Sequence, residues 1–304
     1  MNATVLITGG SGLLATNWAL AIRDDHPVIL GLHQREISLA GVTTKTIDLE
    51  SVDELRRSFD LLQPRLVIHT AGLTNVEDCE AKPELAHHLN VELAATVARA
   101  CADLDIPLIH ISTDHLFSGE QAQVNESAPI APVNQYARTK AEAEIQVLDN
   151  HPHVLVLRTN FFAWGPSYRQ SFSDIIIEAL RAGEEITLFK DVFFTPILVE
   201  VLVEAAHELV ATNSEGIFHL VGDERISKFD FGQKLADTFG LDSSFIKSGL
   251  LRDHEELVER PQDMSLSNRK ASALLGRNFG DIDEQLAGLL QQENLGIAHE
   301  VQNL

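Results

Sequence analysis

The sequence predicts an α/β fold: a doubly wound parallel sheet followed by a smaller C-terminal subdomain. Three observations predict it. Short apolar runs alternate with helix-forming stretches up to Arg158, the pattern of a parallel sheet covered on both faces. The first run ends in Gly9-Gly10-Ser11-Gly12 and leads into a helix-forming segment. After Arg158 the alternation fades and aromatic residues gather among Gly and Pro.

Val5–Thr8 reads as the first strand, Leu13–Arg23 as the first helix and Val28–Leu32 as the second strand, and a third strand ends at Thr46–Asp48. Ser51–Leu62 is a helix with Ser51 as N-cap and Glu54 positioned for a capping box. Strands follow at Arg65–Thr70, Pro107–Ser112 and Val154–Arg158, separated by a long helix over Pro83–Asp103 and another over Val133–Leu148. Phe161, Phe162, Trp164, Phe172, Phe189, Phe193 and Phe194 are expected mostly in a core. Their loop-rich setting is also that of a substrate-binding subdomain. Ile197–Val210 is a helix, Ile217–Val221 a strand and Lys228–Phe239 a helix, and the tail is helical over Lys270–Leu275 and Ile282–Gln292. The expected division is a dinucleotide-binding domain over 1–158, with a returning segment at about 192–222, and a substrate-binding subdomain over 159–191 and 223–304.

A chain of 304 residues with 44% apolar and 22% charged content is an ordinary globular sequence. No apolar run approaches the roughly 20 residues that span a bilayer. The segment from Met1 to Ile7 lacks a basic region and a cleavage site, so no leader is expected. Cys79 and Cys101 are too few for a disulfide framework, which points to a cytoplasmic setting. Thirteen histidines show neither HExxH nor Cys-His spacing. His87 and His88 are adjacent on a helix and His151 and His153 flank Pro152, so no metal is expected. The net charge of −22, spread along the chain, argues against nucleic acid or an anionic membrane as partner. A polyanionic ligand then needs a local cationic site, which directs attention to arginines near the glycine turn.

That turn carries the first chemistry. Glycines at 9 and 12 let the backbone turn tightly and approach a pyrophosphate seated on the following helix N-terminus. Gly9, Ser11, Gly12, Leu13 and Leu14 are the candidates there, with Ala15 as the small residue needed for helix–strand packing. The second strand ends in Gly31-Leu32-His33-Gln34-Arg35 without the acid that holds ribose hydroxyls in NAD-preferring sites. Arg35, with His33, is the candidate for a 2′-phosphate, so NADP is favoured and NAD remains an alternative. Asp48, followed by Leu49, reads equally as a group for the adenine amine or as a helix-start acid.

Ser112-Thr113-Asp114 ends the fifth strand at the carboxyl edge, where such sheets bind ligands. Thr113 can hydrogen-bond a reacting carbonyl, whereas Ser112 faces the other side of the strand. Tyr136 stands four residues before Lys140. One helical turn apart they share a face, where the ammonium can lower the phenol pKa and suit Tyr136 to proton transfer.

Together these features resemble the extended short-chain dehydrogenase/reductases, and more narrowly the dTDP-4-dehydrorhamnose reductase family. The narrower likeness rests on His69-Thr70-Ala71-Gly72-Leu73-Thr74-Asn75-Val76-Glu77-Asp78-Cys79-Glu80, Ser112-Thr113-Asp114-His115-Leu116-Phe117-Ser118-Gly119 and Pro132-Val133-Asn134-Gln135-Tyr136. Arg158-Thr159-Asn160, Thr195-Pro196-Ile197 and Arg260-Pro261-Gln262-Asp263-Met264-Ser265-Leu266 extend it. The resemblance implies a Rossmann fold and catalytic roles for Thr113, Tyr136 and Lys140, with Lys140 also holding the nicotinamide ribose. It implies that Ala71 and Gly72 line the cofactor channel. Thr74, Asn75, Asp114, Asn160 and Phe161 are substrate-side candidates. Arg260 reads as a substrate phosphate ligand or an ordinary salt-bridge partner, and Asp114 also as a cap of the following turn.

The implied reaction is reduction of a nucleotide-linked 4-keto-6-deoxy sugar, and a homodimer is an open possibility. The alternatives are a non-catalytic regulatory subunit, such as the methionine adenosyltransferase β-subunit that resembles the same family, and a nucleotide-sugar epimerase. The related 4,6-dehydratases place Asp-Glu after the threonine. Here the Glu position is His115, so elimination lacks its base. Other departures are Ala15 for a glycine, His115 for an aromatic, Ala137 for Gly, Ser118 for Asp, and Asp191–Pro196 without the usual Asp-Gln pair.

Overall fold

The computed structural model describes residues 3–254 and 256–304. Met1 and Asn2, part of the segment read above for a leader, and Glu255 lie outside the described residues. In chain order the first half contains β1 (Val5–Thr8), α1 (Leu13–Ile22), β2 (Val28–Leu32), β3 (Thr43–Thr46), α2 (Val52–Leu62), β4 (Leu66–His69), α3 (Val76–Ala81) and α4 (Pro83–His87). A π turn (His88–Glu92) joins α4 to α5 (Leu93–Asp103), followed by β5 (Leu108–Thr113), α6 (Gln135–Asn150) and β6 (Leu155–Thr159). The second half contains β7 (Phe161–Phe162), α7 (Phe172–Ala182), β8 (Ile186–Phe189), β9 (Phe193–Phe194), β10 (Ile197–Leu198), α8 (Val199–Ala211) and β11 (Gly216–His219). It closes with β12 (Ile226–Ser227), α9 (Lys228–Phe239), β13 (Ile246–Gly249), α10 (Arg269–Leu275), α11 (Ile282–Asn294) and α12 (Ile297–Gln302).

The central sheet has seven parallel strands in the order β11-β6-β5-β4-β1-β2-β3. Val5 pairs with Val28 on one side and Leu66 on the other, so the winding reverses at β1. A reversal opens a crevice at the carboxyl ends of the flanking strands. Alternate side chains explain why both faces are covered. Ile7, Ile68, Ile109 and Leu157 share one core with α1 and α8. Leu6, Val67, Leu108 and Val156 share the other with α2, α5 and α6. A further core gathers Phe162, Trp164, Phe194 and Phe231 with Leu286 of α11, and Phe194 meets Phe231 edge-on at 5.5 Å between ring centroids.

Three local expectations need correction. The stretch Pro83–Asp103 is interrupted by the π turn at His88–Glu92, a widening that residue propensities do not report. The third strand is the exposed edge Thr43–Thr46 and ends before Ile47–Asp48. Ser51 accepts a hydrogen bond from Glu54 N at 3.4 Å, but the Glu54 carboxylate is turned to Arg57 at 2.7 Å, so only half of the capping box forms.

Buried basic groups make the fold acid-sensitive. His69 and His110 are neighbours in the β4–β5 register and stack at 5.6 Å. Burial holds His69 and His219 down to about 3 and His110 well below the usual imidazole value. A depressed folded-state pKa means the unfolded chain binds more protons between that value and 6.5. Stability therefore falls as pH drops below about 6.5, by up to about 1.4 kcal/mol per pH unit for each such histidine. We expect the thermal midpoint to fall steadily from pH 6.5 to 5, measured by circular dichroism. A flat profile over that range would show that these imidazoles are hydrated.

Candidate active site

A cavity of about 810 Å³ lies at the carboxyl edge of the sheet, where β1, β2, β4, β5 and β6 end. It brings together Gly9, Ser11, Gly12, Leu13, Leu14, His33, Arg35, Asp48, Leu49, Ala71 and Gly72 with Thr74, Thr113, Asp114, Tyr136, Lys140, Asn160 and Phe161.

At the glycine end the backbone leaves no room for side chains. Gly9 has φ +71°, and a Cβ there would sit 2.8 Å from Ala71 N. Gly12 N donates to Gly9 O at 2.8 Å, and Gly12 caps α1 with no side-chain hydrogen bond and no acid in the first helical turn. The helix N-terminus thus presents free amides to the cavity, as a pyrophosphate requires. Ala15 is fully buried, which accounts for the small residue at that position. These groups fit a dinucleotide. The cations fit too: among the described residues Arg35, Lys140 and Arg169 line the cavity without an ion pair, although the chain carries a net charge of −22. Asp48 accepts from Glu50 N at 2.9 Å, closing the turn after β3, and lines this end of the cavity.

The opposite wall holds Thr113, Tyr136 and Lys140. Asn134 caps α6 by accepting from Ala137 N at 2.9 Å and donates to Glu259 O at 2.9 Å, which sets Tyr136 in the first helical turn. Tyr136 is nearly buried, and burial pushes its phenol up to about 12, opposed by a hydrogen bond with Thr113. The expected depression by Lys140 does not appear. The Lys140 ammonium is turned to the carbonyl of Ile111 on β5, 2.6 Å away, and burial brings it down to about 8. At neutral pH the Tyr136 phenol is therefore protonated. Thr113 Oγ1 donates to Asp114 Oδ1 at 3.2 Å, and Asn160 donates to Asp114 Oδ2 at 2.5 Å, linking the ends of β5 and β6. His115 packs edge-on against the Tyr136 ring at 5.5 Å, filling the place of an aromatic. Ser112 faces away, donating to Glu144 at 2.5 Å.

Two sequence candidates stand outside the lining of this cavity. Asn75 caps α3, accepting from Asp78 N at 2.8 Å. Arg260 is in an ion pair with Glu77, the ordinary salt bridge of its two readings. Conversely, residues that sequence reasoning passed over line the cavity. Asn90, on the π turn, donates to Thr139 Oγ1 at 2.9 Å and Leu73 O at 3.0 Å, and accepts from Leu73 N at 2.7 Å. A Cβ on Gly72 would lie 2.7 Å from Asn90 Oδ1, which explains the glycine. Tyr168 and Arg169 come from the segment after β7, and beside them lies Phe172 at the start of α7, one of the aromatics already named for the subdomain. Outside the lining, Lys228 places its ammonium 3.4 Å from the Phe194 ring centre and 4.5 Å from that of Phe172. Burial holds it at about 8.

Among the described residues no group of three or more His, Cys, Asp or Glu could hold a metal ion, and no helix is long and apolar enough to cross a membrane.

Comparison with known proteins agrees with this arrangement. The RmlD substrate binding domain family matches residues 3–295. A probable low-salt glycan biosynthesis reductase, Agl14 of Haloferax volcanii, is 28% identical over 288 residues, covering 93% of this chain and 96% of that protein. Methionine adenosyltransferase 2 subunit beta of Pongo abelii is 26% identical, covering 90% of this chain and 83% of that protein. The crystal structure of dTDP-4-dehydrorhamnose reductase from Bacillus anthracis in complex with NADP superposes with a TM-score of 0.85 at 22% identity, covering 96% of this chain and all of that one. With the parallel sheet, the glycine turn and the Thr113–Tyr136–Lys140 wall already described, the family match over nearly the whole chain establishes that it belongs to the RmlD substrate-binding-domain family, and with it to the NAD(P)-dependent extended short-chain dehydrogenase/reductases.

Proposed function

We propose that this chain is an NADP-preferring reductase of a nucleotide-linked 4-keto-6-deoxy sugar. The observation that carries the reading is one cavity with the glycine turn and Arg35 at one end and Thr113, Tyr136 and Lys140 at the other. When bound, the nicotinamide supplies the hydride. Thr113 orients the keto oxygen by a hydrogen bond, and Tyr136, protonated at neutral pH, gives its proton to the oxygen as negative charge develops. Lys140, fixed on the Ile111 carbonyl, keeps its remaining N–H donors for the ribose. Phe161, Phe172 and Asn160 border the space for the sugar nucleotide. The likeness to the Haloferax glycan biosynthesis reductase and the NADP of the Bacillus complex support the reductase reading and the cofactor.

A non-catalytic binding role is the second reading, favoured by the likeness to methionine adenosyltransferase 2 subunit beta. Titration with NADPH and NADH, followed by a panel of 4-keto-6-deoxy nucleotide sugars monitored at the nicotinamide absorbance band, separates the two. The expected result is oxidation of one NADPH per sugar, with NADPH binding tighter than NADH. Tight binding of cofactor without turnover on any sugar of the panel would favour the regulatory role.

A further inference from the structure

The segment between β7 and α7 crosses the cavity and is itself tightly built. Gly165 N and Ser171 N both donate to Asp174 Oδ2, at 2.7 and 2.8 Å, so one carboxylate ties the two ends together. Arg169 N donates to Pro166 O at 2.7 Å, and a Cβ on Gly165 would lie 2.4 Å from Arg169 O. From this strap the Tyr168 hydroxyl donates to Ser11 O on the glycine turn at 2.8 Å. The neighbouring Arg169 reaches the hydroxyl of Thr74 on the other side. Arg35 lies on the Tyr168 ring, its guanidinium carbon 3.9 Å from the ring centre.

We infer that Tyr168 is a positioning residue for cofactor specificity: it holds the Arg35 guanidinium over its ring beside the glycine turn so that the N–H donors receive the 2′-phosphate of NADP. This rests on the reading that Arg35 meets that phosphate. A guanidinium stacked through its face keeps its N–H donors in the plane and free for a bidentate oxyanion. Arg35 makes no hydrogen bond or ion pair among the described residues, so those donors are available. Without the ring, Arg35 is an exposed side chain at a strand end with many rotamers. The acids at this end make no ion pair with it: Glu50 is turned to His88 at 3.0 Å, Asp48 accepts from the Glu50 amide, and Glu36, next in the chain, is exposed. The anchor on Ser11 sets the height of the ring, and hence of Arg35, relative to the turn that seats the pyrophosphate.

The test uses the full chain and two probes that differ by one phosphate, 2′,5′-ADP and 5′-AMP, titrated by calorimetry. The wild type is expected to bind 2′,5′-ADP at least about tenfold tighter, the effect of one good charge-assisted pair. Arg35→Ala removes this preference. Tyr168→Ala is expected to reduce it about five- to tenfold, the range of a partly desolvated cation–π contact, with 5′-AMP affinity within about twofold of wild type. Tyr168→Phe, which keeps the ring, restores most of it. If the wild type does not discriminate between the probes, the NADP reading fails and this inference with it. If the wild type and Arg35→Ala behave as stated but Tyr168→Ala keeps the full preference, or loses affinity for both probes equally, this inference alone is overturned.

Discussion

Replacing Tyr136 with Phe is expected to lower the rate of sugar reduction by roughly a hundred- to ten-thousand-fold, the usual contribution of a positioned general acid. Cofactor affinity should stay within about twofold, because the change removes one hydroxyl from the catalytic end of the cavity and leaves the ring against His115. Thr113 keeps its hydrogen bond to Asp114, so the effect reports the loss of the phenol itself. Stopped-flow absorbance with saturating NADPH measures the rate, and fluorescence titration measures the affinity. The pH dependence follows from the same two groups. Tyr136, pushed up to about 12, remains a donor throughout the working range, whereas Lys140, at about 8 before cofactor binds, loses its charge as pH rises. Reduction should therefore decline on the alkaline side of about pH 8. A Tyr136→Phe protein with undiminished turnover would remove the phenol from the mechanism.

The second large effect concerns stability. Behind the Thr113–Tyr136 wall, Arg158 on β6 makes a paired contact with Glu144 on α6, Nε to Oε1 at 2.9 Å and Nη2 to Oε2 at 2.7 Å, with both side chains 2% exposed. Ser112 adds a third hydrogen bond to the same carboxylate, so α6, β5 and β6 meet at one point behind the site. Glu144→Ala strands a guanidinium whose other contacts are His219 at 3.3 Å and the Phe117 ring at 5.5 Å. Breaking such a buried pair costs about 3–5 kcal/mol, whereas replacing both charges with apolar groups is often neutral. We expect Glu144→Ala to lower the thermal midpoint by roughly 5–10 °C and Glu144→Leu with Arg158→Met to recover most of the loss. Thermal scans measure the midpoints and chemical denaturation the free energies; a loss under about 1 kcal/mol for Glu144→Ala would mean that water reaches the pair.

The doubly wound sheet was legible because its buried strands are apolar runs and its glycine turn sits between a strand and a helix. β3, Thr-Thr-Lys-Thr, lacks that mark since an edge strand needs no buried face. The proximity of Thr113, Tyr136 and Lys140 could be anticipated from strand-end and i,i+4 geometry. The balance of forces on Tyr136 could not, because it depends on the burial of the ring and on Lys140 turning to a strand carbonyl. Asn90 escaped notice for a related reason. Its partners lie 17 and 49 residues away, and only the π turn brings its amide between them. Tyr168 is likewise silent in sequence, being 157 residues from the Ser11 carbonyl it contacts. Arg260 shows the converse, since a basic residue in a family-like motif is already matched by Glu77.

The most direct test of the proposed chemistry uses NADPH carrying deuterium at the transferable position of nicotinamide carbon 4, incubated with the purified protein and a 4-keto-6-deoxy nucleotide sugar. Mass spectrometry of the product should show the added deuterium on sugar carbon 4, in step with cofactor oxidation. Unlabelled, unreduced sugar recovered from a protein that binds NADPH tightly, across nucleotide and sugar variants, would contradict the reductase account and favour the regulatory role.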